Sequence, residues 1–400
     1  MDLKRPLRLK NKIQEYEWGS KTAIPSILGL PSPSKKPMAE LWMGAHPKAP
    51  SEVEVDGKWM RLDELISIEP KAILGKKVAD KFGNQLPFLF KIIAAEKPLS
   101  IQAHPNKEQA INGFERENKL GIPLDAPERN YKDKNHKPEV LCAITRFEAL
   151  KGFRSIEEIV SLFKKAVPNS LKEEINLLER EGLRSFFSAI MGLKAEKKED
   201  AISELLNSSE KMKNDPVFSL VLRLNNYFPK DIGIFSPLIL NMYVLEPGEA
   251  IFLPAGELHA YIKGVGIELM ANSDNVLRGG LTHKHIDVEE LLNILRFEPS
   301  RVQKLKPVSV GKMELIYPTP VEEFILHKIR LKEGEEFSSD EDRSVEIMIV
   351  IEGNAEISSA TAKYMELKKG DSVLIPSVMP KYFLKGDATI YKATVPSQSQ

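Results

Sequence analysis

The sequence predicts a mainly β protein with a helical domain inserted into it, and three observations carry that expectation. Residues 41–44, 86–95 and 140–145 are short apolar runs separated by prolines and glycines, the pattern of strands joined by loops. From Ser155 to about Pro229 the apolar spacing changes to the three-and-four rhythm of helices. From Leu238 onward short strand-like segments return.

Residues 31–37, Pro-Ser-Pro-Ser-Lys-Lys-Pro, are a loop, because prolines lack a donor and restrict the residues before them. Ser155 and Glu158 have the spacing of a capping box. Ile156, Ile159, Val160, Phe163 and Val167 then share one helical face, and Pro168 ends it. Ser170 with Glu173 predicts a second start, with Leu171, Ile175 and Leu178 apolar and Gly182 at the stop. Two further helices are expected over 199–211 and 215–227. Strands over 240–245 and 250–253 flank the turn Glu246-Pro247-Gly248-Glu249. Residues 285–296 predict a helix, residues 345–395 a small all-β unit, and the tail after Pro396 a frayed end.

At about 150 residues per domain, 400 residues make two or three domains. Lys plus Arg and Asp plus Glu both number 57, so no global basic field exists to hold nucleic acid or an anionic membrane. An anionic ligand must be held by a local cluster. Cys142 is the lone cysteine, the N-terminus lacks an apolar signal core, and no run is long enough to span a bilayer. The expectation is a soluble, cytoplasmic monomer without nucleic-acid or membrane partners.

One internal similarity refines the fold. Gly248 is followed six residues later by Pro254 and eleven later by His259; Gly370 is followed at the same spacings by Pro376 and Lys381. Both stretches read as turn, buried strand, proline and loop, the second half of a cupin-type jelly-roll motif. Two cupin-type jelly-roll barrels plus an α-helical domain are therefore expected. The partition runs 1–153 with 235–315 for the first, catalytic barrel, 154–234 for the helices, and 316–400 for the second barrel. With Lys381 where the first copy has His259, the second is expected to hold no metal.

Three stretches concentrate unusual polar residues. In Ser100-Ile101-Gln102-Ala103-His104, Gln102 and His104 share a strand face. Asn135-His136-Lys137-Pro138-Glu139 precedes an apolar strand, and His259 closes the run Pro254-Ala255-Gly256-Glu257-Leu258-His259. A barrel that brings them together gives two imidazoles, a carboxylate and an amide around one borderline divalent ion. Gln102, His104, Glu139 and His259 are the predicted ligands of one Zn2+ per chain. Alone, His104 reads as a core histidine and Glu139 as a solvated strand start; their joint placement outweighs both.

Residues 101–107 (Ile-Gln-Ala-His-Pro-Asn-Lys), 135–139, 253–261 (Leu-Pro-Ala-Gly-Glu-Leu-His-Ala-Tyr) and 273–282 (Ser-Asp-Asn-Val-Leu-Arg-Gly-Gly-Leu-Thr) together resemble the type I mannose-6-phosphate isomerases. Tyr16-Glu17-Trp18-Gly19-Ser20 and Glu40-Leu41-Trp42-Met43-Gly44 are similar to that family's opening. The resemblance covers most of 10–290 and departs at His283, where the family usually has proline. It implies zinc on the four ligands above, catalytic Arg278, and a phosphorylated sugar as substrate.

Aldose–ketose isomerisation moves a proton between C1 and C2 through a cis-enediol, so it needs acid/base groups and a cation for the developing oxyanion. Glu268, Asp274, His136 and Lys137 are the proton-handling candidates, and sequence does not choose among them. Arg278, beside Gly279-Gly280, would hold phosphate or steady the enediolate. Ser100, Lys284, Tyr261 and His136 are candidate substrate or phosphate contacts, with Lys91 and Lys97 as further cations. Two other readings use the same residues. A two-His, one-carboxylate set suits a non-haem-iron oxygenase, which a fourth ligand at Gln102 disfavours. A non-catalytic sugar-binding barrel is disfavoured by the complete ligand set.

Overall fold

The computed structural model describes residues 1–362 and 364–396; the tail expected to fray, 397–400, lies outside them. The strands pair almost entirely antiparallel, a block of helices fills residues 156–239, and further helices, among them Lys107–Lys119 and Val288–Ile294, lie outside it. Among the described residues no helix is long and apolar enough to cross a membrane.

The first barrel is built on the strands Glu40–Gly44, Phe88–Ala95, His259–Ala271, Phe147–Phe153 and Leu240–Leu245, hydrogen-bonded side by side in chain-crossing order. Glu139–Ala143 pairs with Ala250–Leu253 and with the far half of His259–Ala271. Ile101–Ala103 lies between the start of that long strand and Leu277–Gly280. This arrangement draws residues 102, 139, 259 and 278 toward one end of one barrel.

The helices pack around Phe163, Phe186, Phe218 and Phe235, all buried, and their core continues under the barrel strands through Leu150, Phe153 and Leu258. The Ser155–Glu158 capping box forms as expected. The one expected at Ser170 does not. Helix Lys172–Glu181 has no side-chain cap, because Ser170 instead donates its hydroxyl to Glu204 at 2.6 Å. A helix not expected from sequence, Leu183–Met191, follows directly on Gly182. The helix expected over 285–296 is shorter, Val288–Ile294, and is capped by Asp287.

The second barrel repeats the first in outline. Gly248 and Gly370 both sit at φ +90, a conformation that favours glycine. Each leads into a four-residue strand ending before a proline, and then into a thirteen-residue strand, His259–Ala271 or Tyr382–Thr394. The N-terminal strands cross the expected partition at residue 316. Leu7–Lys10 pairs with Ser372–Ile375 of the second barrel, and Glu52–Val55 with Lys58–Arg61 extends that sheet. An open strand edge is a liability, and the N-terminal segment covers it with Leu7 and Leu9 turned inward. One apolar core, from Leu7 and Met43 to Ile347 and Tyr391, joins the two barrels.

Candidate active site

Glu139 opens its strand opposite Leu253 on one side and Met270 on the other. His259 opens the long strand opposite Gln102. His104 follows strand Ile101–Ala103, and its backbone carbonyl accepts from Gly256 N at 2.8 Å, which ties together the two loops carrying the histidines. Ligand atoms of His104, Glu139 and His259 all lie within 4.8 Å of one another, and all three residues are buried. Nε2 of His104 is 3.5 Å from Glu139 Oε1, and Nε2 of His259 is 3.4 Å from Glu139 Oε2.

The other ring nitrogens fix the tautomers. His104 Nδ1 is 2.7 Å from the carbonyl of Asn275, and His259 Nδ1 is 3.0 Å from that of Glu257. A carbonyl only accepts, so each Nδ1 carries the proton and each Nε2 offers a lone pair. His104 Nε2 is buried with no hydrogen-bond partner among the described residues. Burial, then the Lys137 ammonium, lowers the His104 pKa to about 4, so the ring is neutral near pH 7. Two neutral imidazoles and a carboxylate on one point fit a borderline divalent cation. Gln102 faces the same inner pocket, and its Nε2 donates to Ser100 Oγ at 3.3 Å, leaving the amide oxygen as acceptor.

Around this centre lies a chain of buried charges. Lys137 Nζ is 2.9 Å from Glu139 Oε1. Lys91 Nζ is 2.9 Å from Glu268 Oε2 and 3.8 Å from Glu40 Oε2, and Trp42 Nε1 donates to Glu40 at 2.6 Å. Burial works against the Lys91 charge, but Glu268, Glu40 and Glu139 outweigh it and hold the ammonium on. Burial raises the Glu268 carboxyl above its usual range, with Lys91 opposing and Glu139 adding to the rise. Tyr261 hydroxyl donates to Glu268 Oε1 at 2.9 Å.

Above the pocket opens a cavity of about 690 Å³ lined by Ser100, Gln102, Lys137, Asp274, Arg278 and Lys284 among others. Arg278, Lys132 and Lys284 crowd one wall. Burial lowers all three pKa values; Lys48 and then Arg278 also depress Lys132, and Arg278 and Lys132 also depress Lys284. Three partly buried cations in a shared cavity make a site for a polyanion. Lys132 was missed from sequence, although it stands three residues before Asn135-His136. Glu40 was missed as a polar participant because it reads as a strand residue. His283, the departure from the family pattern, stands exposed at the cavity mouth, its ring 6.1 Å from that of Phe228.

Three expected residues are placed differently. His136 does not line the cavity: its Nε2 meets Glu323 Oε1 at 2.5 Å, on the side toward the second barrel. Extended backbone alternates its side chains, so turning Lys137 and Glu139 inward turns His136 out. Tyr261 is buried behind Glu268 and contacts the inner pocket but not the large cavity. Asp274 lines the cavity but is held by Lys48 at 2.8 Å and His46 at 3.5 Å. Against the opposing effect of burial, these partners keep its carboxyl far below the usual range.

Three domain families match in sequence. They are the type I phosphomannose isomerase catalytic domain over residues 7–156, that family's helical insertion domain over 156–240, and the mannose-6-phosphate isomerase cupin domain over 313–395. Mannose-6-phosphate isomerase from Escherichia coli is 41% identical over 95% of this chain and 97% of its own. The Bos taurus enzyme is 34% identical over 98% and 99%. A crystal structure of a variant phosphomannose isomerase from Salmonella typhimurium superposes with a TM-score of 0.92 at 39% identity, covering 98% of this chain and all of the other. A zinc-bound mannose 6-phosphate isomerase superposes at 0.90, with the same identity and coverage. The chain belongs to the type I phosphomannose isomerase family.

Proposed function

We propose that this protein is a zinc-dependent isomerase interconverting mannose 6-phosphate and fructose 6-phosphate. The observation that carries the reading is the convergence of His104, Glu139 and His259 below a cavity walled by Arg278, Lys132 and Lys284. His104, Glu139 and His259, with the Gln102 amide oxygen, would hold the ion. When bound, zinc supplies Lewis acidity toward an oxygen of the open-chain sugar.

This chain's own residues do the rest. Arg278, Lys132 and Lys284 take the phosphate, with Ser100 as a neutral donor beside the ligand strand; the phosphate relieves the mutual repulsion of the three cations. That anchorage directs the sugar carbons toward the inner pocket. Glu268 is better suited than Asp274 to move the proton between C1 and C2. Burial raises the Glu268 carboxyl above its usual range and so makes it the stronger base, whereas Lys48 and His46 hold the Asp274 carboxyl far below that range and make it the weaker one. Lys91 and Tyr261 orient Glu268, and Lys137 places positive charge where the enediolate oxygens develop negative charge. The boundaries proposed near 153, 235 and 316 find support in the ends of the matching families at 156, 240 and 313, and the pairing of residues 7–10 with 372–375 supports counting 7–10 and 52–61 in the second sheet.

A coupled assay for fructose 6-phosphate formed from mannose 6-phosphate tests the reading. Turnover by zinc-loaded protein, lost on chelation and restored by zinc, is expected. No turnover with zinc or any other divalent ion overturns it, and oxygen consumption with iron would identify an oxygenase instead.

A further inference from the structure

The two barrels correspond strand for strand, and the pairing registers put numbers on the correspondence. In the first, Glu40 lies opposite Ile93, Lys91 opposite Glu268, and Glu139 opposite both Met270 and Leu253. In the second, Glu314 lies opposite Ile329, His327 opposite Lys392, and Glu346 opposite both Thr394 and Ile375. Leu253 and Ile375 each precede the repeated proline, which anchors the alignment. Glu40, Lys91, Glu139 and Glu268 therefore correspond to Glu314, His327, Glu346 and Lys392. Carboxylate matches carboxylate at the first and third positions and a basic group matches a basic group at the second. Only the fourth changes sign.

The positions that supply the other metal ligands have also changed. Strand Glu336–Ser338 lies beside the long strand of the second barrel as Ile101–Ala103 does in the first; by the register that sets Lys392 level with Glu268, Phe383 stands level with His259 and Ser338, opposite it, level with Gln102. Counted instead from the repeated glycine, Lys381 takes the place of His259. The buried charges of the two interiors differ accordingly. In the first, Glu40, Glu139 and Glu268 outnumber Lys91 and Lys137, an excess of carboxylate that a divalent cation corrects. In the second, Glu314 and Glu346 face Lys392 and Arg343. Lys392 Nζ sits 2.9 Å from Glu314 Oε1 and 3.4 Å from Glu346 Oε1, and Arg343 is 3.9 Å from Glu346 Oε2. His327 Nδ1 is 2.7 Å from Glu314 Oε1; the side chains of His327, Glu346, Lys392 and Arg343 are buried and that of Glu314 is nearly so, at 14% exposure.

We infer that the second barrel is a copy of the metal barrel in which the ammonium of Lys392 has taken the place of the cation, so that this half of the molecule neutralises its charged interior with no ion. Lys392 bridges two carboxylates from separate strands, as Glu139 gathers two imidazoles in the first barrel. The carboxylates outweigh burial and hold its charge on. The inference is independent of which reaction the first barrel catalyses.

Thermal unfolding of the full, zinc-loaded chain tests it. Lys392→Met takes the ammonium from Glu314 and Glu346, leaving His327 beside one and Arg343 at 3.9 Å from the other, and a fall in Tm on the order of 10 °C is expected. Adding Glu346→Gln removes one of those two negative charges and should restore at least half of that fall. Zinc content should stay at the wild-type level in both variants. A Lys392→Met protein as stable as wild type, or a double variant no more stable than the single, overturns the inference. Should Lys392→Met yield no folded protein, the double variant decides alone: folding supports the charge account, and failure to fold overturns it.

Discussion

His104 and His259 show how little of a metal ligand is visible in its own identity. Their spacing in sequence marked them, but what makes them ligands is the carbonyl behind each Nδ1, and those carbonyls belong to Asn275 and Glu257, one distant and one local. Sequence likewise marked Lys137 and His136 together, and strand alternation separates them: one stays with Glu139 and the other leaves for Glu323. Lys132 went unmarked because a lysine's burial and cationic neighbours do not appear in its sequence context. Three outcomes follow from these placements. Arg278→Ala should lower kcat/KM by about 10²–10³ with zinc content unchanged, measured by the coupled assay and elemental analysis. Glu268→Gln should cost about 10²–10⁴ in kcat, and Asp274→Asn much less. If Asp274→Asn proves the more damaging, proton transfer has been assigned to the wrong carboxylate. His136→Ala should leave KM for the sugar phosphate unchanged, since the ring faces away from the cavity.

Helices and strands were read with uneven success, for local reasons. The Ser155 start was correct because both halves of its capping box lie within four residues. Ser170 carries the same pattern, but Glu204, thirty-four residues away, captures its amide and hydroxyl together with Asn169. Long-range capture of that kind leaves no local trace. Helix Lys107–Lys119 is capped by an Asn106–Gln109 capping box, but its polar, weakly periodic sequence carries little helical signal of its own. The repeat of Gly248 and Gly370 was readable because a positive φ selects glycine at both turns. Glu204→Ala should destabilise the helical domain by about 1–2 kcal/mol, from loss of several partly exposed hydrogen bonds, read from a denaturant midpoint shift at constant slope.

The molecule as a whole is less divided than its sequence. The N-terminal strand is hydrogen-bonded to the last barrel, and a single apolar core runs beneath both sheets. Composition shifts along the chain locate domains, but they do not show which edge an early strand will cover. One consequence concerns acid. Although burial opposes it, His327 and Lys392 lower Glu314 to about 2, below its ordinary value. A carboxylate depressed on folding adds stability that is complete above its unfolded pKa, about 4.5, and is lost as pH falls toward the folded value. Stability should therefore decline between about pH 4.5 and 2, and the Glu314→Gln protein should decline less steeply over that window, as measured by denaturant titration at each pH. An equal slope for both proteins would show that Glu314 is not depressed. The account as a whole depends on four side chains, far apart in sequence, enclosing one cation in the first barrel. An anomalous-difference map at the zinc edge, from crystals of the purified protein, tests that most directly. One peak within coordinating distance of His104, Glu139, His259 and the Gln102 amide oxygen is predicted; a stoichiometric peak elsewhere, or none in active protein, would contradict it.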